Sequence, residues 1–297
     1  MANVALPRAL AKTLLAIAWA DNELHLEEEA TIKEVISLLP SLSAQEWAMI
    51  ELYFVVPVRE NERDELVQQL IAVIRSAADK RIALEAIDAM IAADGLVQPA
   101  EEAVAQHIRT LVAGLDVSPL GNMGRMFGGV GRQIPRRERE FELWRTNPVL
   151  YVLTNQTDTA SADRRVLEVA ALAAGIMAQV VRVTPATADQ ERPVLQHALT
   201  TDWALPAPVA ERMAEAAVRL TQRNIDYHRI SRELVPRTTE QQRGALLDTL
   251  FTIANAAEQV SPNEIDEIRI IAERLQLTRQ QFIAAKLKIP TTQRGGL

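Results

Sequence analysis

The chain contains no cysteine among its 297 residues. Disulfide bonds, thiolate zinc sites and cysteine nucleophiles are therefore excluded. Aromatic residues make up only 4% of the chain and glycine occurs 11 times, whereas alanine and leucine are abundant. This composition favours helices over sheets, so the sequence predicts an all-α protein.

Long hydrophobic runs and common catalytic motifs are also lacking. A membrane-spanning helix needs about 20 apolar residues, and the apolar stretch at 166–181 is interrupted by Glu168. The chain has neither a Gly-x-Ser-x-Gly nucleophile elbow nor a Walker loop, and its four histidines lie far apart. We therefore expect a cytoplasmic protein with no transmembrane segment and no enzymatic activity.

The negative charge of the chain is concentrated in its first part. Residues 1–117 carry 19 acidic and 9 basic side chains, a formal charge of −10, whereas residues 118–297 carry 20 acidic and 23 basic ones, a charge of +3. An acidic surface repels phosphate backbones and attracts cations or basic protein surfaces. We therefore expect no nucleic-acid partner.

A short motif recurs, in which an apolar helix end runs into an Asp and a turn, with a Glu seven residues later. The clear copies contain Asp21 with Glu28 and Asp94 with Glu101, and weaker copies surround positions 180 and 257. The separations are 73 residues from 21 to 94 and 77 from 180 to 257, against offsets of 159 and 163 between the pairs. This spacing predicts two tandem helical domains, each with two similar halves.

Composition sets the predicted domain boundaries. Residues 118–140 hold five of the 11 glycines and a charged run with Arg132, Arg136, Arg137 and Arg139. Dense glycine favours flexibility, so this segment is predicted to be a linker with a solvated charged run. The predicted domains are then residues 1–117 and 141–289, and residues 290–297 are predicted to form a flexible tail.

The acidic residues of the motif have two interpretations. In the structural one, Asp21 and Asp94 accept hydrogen bonds from backbone amides of the turn, while Glu28 and Glu101 lie in the first turn of the next helix, where the dipole favours them. In the functional one, these four carboxylates come together and bind a divalent cation such as Ca²⁺. The residues around Asp21 do not match an EF-hand loop, and a transition-metal site that adds His25 is a weaker alternative.

The motif, placed between an apolar helix and an acidic one, resembles the TerB-like family, named for tellurite-resistance proteins and also found at the N-terminus of a membrane-anchored J-domain co-chaperone. The resemblance covers most of residues 6–115 and is weaker over residues 160–288. It implies compact helical bundles with internal pseudo-symmetry. It also implies acidic, metal-binding interaction modules of stress-response and envelope-associated systems.

The resemblance assigns the family's acidic positions unequally to the two predicted domains. In the first domain they fall on Asp21, Glu28, Asp94 and Glu101. In the second domain only Glu264 matches, because Val180, Thr187 and Ala257 occupy the other positions. The resemblance therefore implies a metal role for the first domain only.

Two functional hypotheses follow. The first is a non-enzymatic adaptor that docks a protein partner with a basic surface through the acidic helical surface of its first domain. The alternative is a divalent-cation sensor or metal-resistance protein that uses the first-domain carboxylates. In the linker, Met123, Met126 and Phe127 are candidate partner-binding residues for an apolar groove or a membrane surface. The sequence leaves the oligomeric state open.

Overall fold

A computed structural model describes residues 3, 5–24, 26–37, 42–92, 98–118, 136–156, 162–184, 188–221, 223, 225–257 and 260–290. These residues form helices and no strand, which confirms the predicted all-α fold. They separate into two compact units, residues 1–139 and 140–297. None of the described helices combines the length and apolar character that crossing a membrane requires.

The first unit is built around its first helix. Its helices are α1 (Ala5–Ala18), α2 (Leu26–Ser37), α3 (Ala44–Val55), α4 (Glu60–Val73), α5 (Ala77–Ala92), α6 (Pro99–Ala113) and α7 (Arg136–Arg139). Helix α1 contacts each of α2 to α6, and its apolar residues Leu10, Leu14 and Ile17 have no exposed surface. The helical spacing of these side chains thus places α1 in the core of the unit.

The second unit also surrounds one apolar helix. Its helices are α8 (Phe141–Thr146), α9 (Pro148–Gln156), α10 (Arg164–Val181), α11 (Ala188–Thr201), α12 (Ala207–Leu220), α13 (Tyr227–Leu234), α14 (Glu240–Ala254), α15 (Pro262–Arg274) and α16 (Arg279–Leu287). Helix α10 contacts α9 and all of α11 to α15. Gly175 permits close packing there, since a Cβ at this position would lie 3.3 Å from Ile230.

Side-chain caps fix where several helices begin, because the first amides of a helix have no partner within it. At four helices the cap side chain accepts a hydrogen bond from the third helical amide, and the third helical side chain accepts one from the amide of the cap residue. These capping boxes are Ser43 with Glu46, Thr239 with Gln242, Ser261 with Glu264, and Thr278 with Gln281. All four confirm helix starts predicted from the sequence.

The short helix α7 is anchored to the first unit by a buried arginine. Arg137 is 5% exposed, and its guanidinium donates to the Glu62 carboxylate at 2.6 and 2.8 Å and to the carbonyl oxygen of Val56 at 2.7 Å. Next to it, Glu138 forms an ion pair with the buried Lys12. Burial lowers the pKa of the Lys12 ammonium, against the opposing effect of Glu138. The charged run was predicted to be solvated, and for Arg137 that prediction is wrong.

Replacing Arg137 by Ala is expected to lower the free energy of unfolding of the first unit by about 3 kcal/mol, because the change leaves Glu62 and buried carbonyl groups without their donor. Native-state hydrogen exchange of the α1 amides measures this stability for the unit alone. Arg139→Ala is the matched control, since Arg139 is exposed on the same helix. Equal protection in the two variants would contradict the anchoring role.

Candidate functional site

The first copy of the motif forms a capped turn at the end of α1. The Oδ1 atom of Asp21 accepts a hydrogen bond from the backbone amide of Glu23 at 2.9 Å. Between them, Asn22 has a φ of 69°, a left-handed conformation that asparagine tolerates better than most residues. Asp21 therefore stabilises the turn, as the structural interpretation predicts. Its counterpart Asp94 lies outside the described residues, as does His25.

The glutamates of the motif are buried. Glu101 is 1% exposed and accepts a hydrogen bond from the Gln98 amide at 2.9 Å, which caps α6. Glu28, in the first turn of α2, is 7% exposed. Among the described residues, no group of three or more His, Cys, Asp or Glu side chains could hold a metal ion. The four-carboxylate cation site stays a prediction, because Asp94 is not among those residues.

If the motif carboxylates serve the fold, adding Ca²⁺ or a chelator should leave the thermal unfolding midpoint of the protein unchanged. An ion that binds only the folded state stabilises it by RT ln(1 + [L]/Kd), which is about 2.7 kcal/mol at a hundredfold excess over Kd. Calorimetry in 1–10 mM Ca²⁺ and in EDTA measures the effect (roughly one to a hundred times the Kd of weak sites). A midpoint raised by Ca²⁺ and lowered by EDTA would instead support the cation hypothesis.

In the second unit, the motif glutamate connects two turns. Glu264 is 2% exposed. One carboxylate oxygen accepts from the Ser261 amide at 2.7 Å and closes the capping box of α15. The other accepts from the Thr184 hydroxyl at 2.8 Å, which lies just beyond the end of α10. Glu264 thus satisfies a helix end and fixes α15 to the turn that follows the central helix.

A single offset of 163 residues relates Asp21 to Thr184, Glu28 to Glu191 and Glu101 to Glu264. Glu191 has no exposed surface and lies in the first turn of α11, so it corresponds to Glu28. The sequence analysis placed position 187 opposite Glu28 and therefore missed both Thr184 and Glu191. The constant offset of 163, already present between 94 and 257, was the signal that could have found them.

The same offset aligns the buried positions of three helix pairs. Both members of every pair are buried. The pairs are Ile32 and Leu195, Val35 and Ala198, and Ile36 and Leu199 for α2 and α11; Ala83 and Leu246, Ala86 and Thr249, and Ile87 and Leu250 for α5 and α14; and Ala105 and Ile268, Ile108 and Ile271, and Val112 and Leu275 for α6 and α15. The two units therefore share one burial register along these helices.

The second unit is thus an all-helical domain with a buried central helix and a glutamate-capped helix fixed to its end. The profile of the family described as tellurite resistance protein TerB matches residues 168–287, from within α10 to the last residue of α16. Residues 168–287 therefore form a TerB domain. No curated protein and no solved structure matches the chain significantly.

The match falls on the half of the chain where the sequence analysis placed the weaker resemblance. The second half keeps only one of the acidic positions quoted for the family. Its helices, caps and buried positions carry the match. A divergent copy over residues 6–115 stays a prediction.

Removing the motif glutamate from the second unit should destabilise it. Glu264→Ala leaves the Ser261 amide without its acceptor and the Thr184 hydroxyl without its partner, so we expect a loss of about 2 kcal/mol in the free energy of unfolding. Glu273→Ala, at an exposed position of the same helix, is the control. Urea unfolding followed by circular dichroism makes the comparison. A loss no larger than that of the control would show that Glu264 is dispensable.

Proposed function

We propose that the protein is a non-enzymatic adaptor of a stress-response or envelope-associated system, in which a TerB domain is joined to a second, divergent copy of the same domain. The match over residues 168–287 supports the first part of this proposal. The shared burial register of the two units supports the second. The adaptor role rests on the way the acidic residues are used.

The acidic residues of the first unit divide into two groups. Asp21 and Glu101 accept hydrogen bonds from the backbone and serve local structure. Glu60, Asp64 and Glu65, by contrast, are exposed on α4, and no described residue forms an ion pair with them. This acidic side of α4, defined by those three residues, is the observation that carries the proposal, because unpaired surface carboxylates attract a basic protein surface.

Two domains in one chain add a further property. When two partners, or two sites on one partner, are bound together, the second binding step becomes intramolecular and its effective concentration rises. A flexible segment between the domains sets the reach. The candidate docking residues Met123, Met126 and Phe127 lie outside the described residues, so their role stays a prediction.

The cation-binding alternative rests on buried carboxylates in the first unit. Glu28 and Glu101 are both less than 10% exposed, and buried oxygen ligands are typical of Ca²⁺ sites. The hydrogen bond from the Gln98 amide to Glu101 favours the structural role for that side chain. The effect of Ca²⁺ and EDTA on thermal unfolding distinguishes the two.

Neutralising the acidic side of α4 tests the adaptor proposal. The triple variant Glu60→Gln, Asp64→Asn and Glu65→Gln should lose partners that the wild-type protein retains in affinity capture with quantitative mass spectrometry. We expect those partners to have basic surfaces and to be released between 0.1 and 0.5 M salt, where the Debye length falls from about 10 Å to roughly 4 Å.

The control changes the net charge equally at another place. Asp189→Asn, Glu211→Gln and Glu215→Gln neutralise three exposed carboxylates of the second unit and should leave the captured set intact. If the α4 variant also captures the wild-type set, the acidic side of α4 is not the docking surface. Circular dichroism of both variants checks that the helices are retained.

A further inference from the structure

An open cleft of about 490 Å³ lies in the second unit, where the C-terminal end of α10 meets α15 and the beginning of α13. Its polar lining consists of Gln179, Arg182, Asp226, His228, Glu267 and Arg274, together with Tyr227. Glu267, Ile270 and Arg274 share one face of α15, since they are three and four residues apart. The helices therefore present these side chains to the same space.

One polar group in the cleft is not satisfied. Gln179 is 5% exposed, and its amide nitrogen donates to the Glu267 carboxylate at 2.9 Å. Its Oε1 atom is buried and accepts no hydrogen bond from any described residue. A buried carbonyl oxygen without a donor is costly. A ligand that brings an N–H donor into the cleft would remove that cost.

Two arginines at the cleft lack carboxylate partners. Neither Arg182 nor Arg274 forms an ion pair with a described residue. The guanidinium of Arg182 lies 5.9 Å from the centre of the Tyr227 ring, which limits its range of positions. Arginine is well suited to bind a carboxylate, because its fork of N–H donors matches the two oxygens.

The charges around the cleft select among anions. Glu267 and Asp226 offset the two arginines when His228 is neutral, so a compact dianion would meet as much repulsion as attraction. A ligand that carries one carboxylate and a nearby N–H donor matches both signs. The carboxylate would face the arginines, and the N–H group would face Gln179 and Glu267.

The remaining lining is apolar or neutral. Ile225 and Ile270 are half-buried beside the polar groups, and the Tyr227 ring lies between them and Arg182. Burial raises the pKa of Tyr227 to about 12, so its hydroxyl stays neutral at physiological pH. These three side chains offer a surface to an apolar ligand group next to the charged ones.

We infer that this cleft binds the α-carboxylate and the adjacent α-nitrogen of an amino acid with an apolar side chain. The source is either a free amino acid or the C-terminal residue of a peptide, because both carry this pair of groups. This binding function goes beyond the adaptor role proposed above and does not depend on the first unit.

Three leucine derivatives distinguish the sources. Leucine has the carboxylate and an ammonium group, N-acetylleucine has the carboxylate and an amide N–H, and N-acetylleucinamide lacks the carboxylate. Binding to the full chain is measured by titration with NMR detection, and we expect a Kd on the order of 1 mM for such small probes. Leucine alone binding identifies a free amino acid, whereas binding of N-acetylleucine identifies a peptide C-terminus.

Some outcomes would overturn the inference. They are an absence of binding by all three probes, equal binding of N-acetylleucinamide, and competition by inorganic phosphate at equal concentration. The last outcome would assign the arginines to a general anion site.

Variants locate the binding in the cleft. Arg182→Gln and Arg274→Gln should each weaken binding about tenfold, because each removes a charged hydrogen-bond donor. Arg192→Gln, at an exposed position of α11, is the control and should leave binding unchanged. Gln179→Leu should also weaken binding, and if this buried change prevents folding, the arginine variants still decide. Unchanged affinity in both arginine variants would place the binding elsewhere.

Discussion

The structure of the second unit depends on a buried carboxylate that satisfies a helix end inside the protein. The first amides of α15 have no partner within the helix, and burying them unpaired would be costly. Glu264 accepts from the Ser261 amide and from the Thr184 hydroxyl, so one side chain both starts α15 and fixes it to the end of the central helix. Glu101 closes the start of α6 in the same way. The recurring glutamate is therefore first a device of the fold.

This use of the carboxylates changes how the acidic character of the chain relates to function. The glutamates that mark the motif are buried at helix starts, where the helix dipole favours a negative charge. The carboxylates that remain for a partner are the exposed ones, such as Glu60 and Asp64 on α4. A motif can thus identify the domain type while the residues that meet a partner lie outside it, and only the latter respond to salt as a docking surface should.

Charged side chains also work inside the units, and in each case the contact explains the burial. Arg137 satisfies carbonyl groups at the end of α3 and the carboxylate of Glu62, so it anchors α7 to the first unit. In the second unit, Gln179 and Glu267 pair with each other but leave one carbonyl oxygen without a donor. The first group is complete and the second is incomplete, which is why the cleft beside α10, and not the buried arginine, is the place where a ligand is expected.

The sequence by itself determined the helical class, most helix starts and the repeated order of elements, because capping boxes and the spacing of apolar residues act within a few residues of the chain. It assigned Glu264 correctly to a helix start. It missed Thr184 and Glu191, because a turn of different length shifts their positions in the repeat by four residues, and a local pattern does not show which residues face each other across a bundle. Tertiary structure alone decided that Arg137 is buried and that Gln179, Arg182 and Arg274 share a cleft, since these contacts join side chains from elements far apart in the chain.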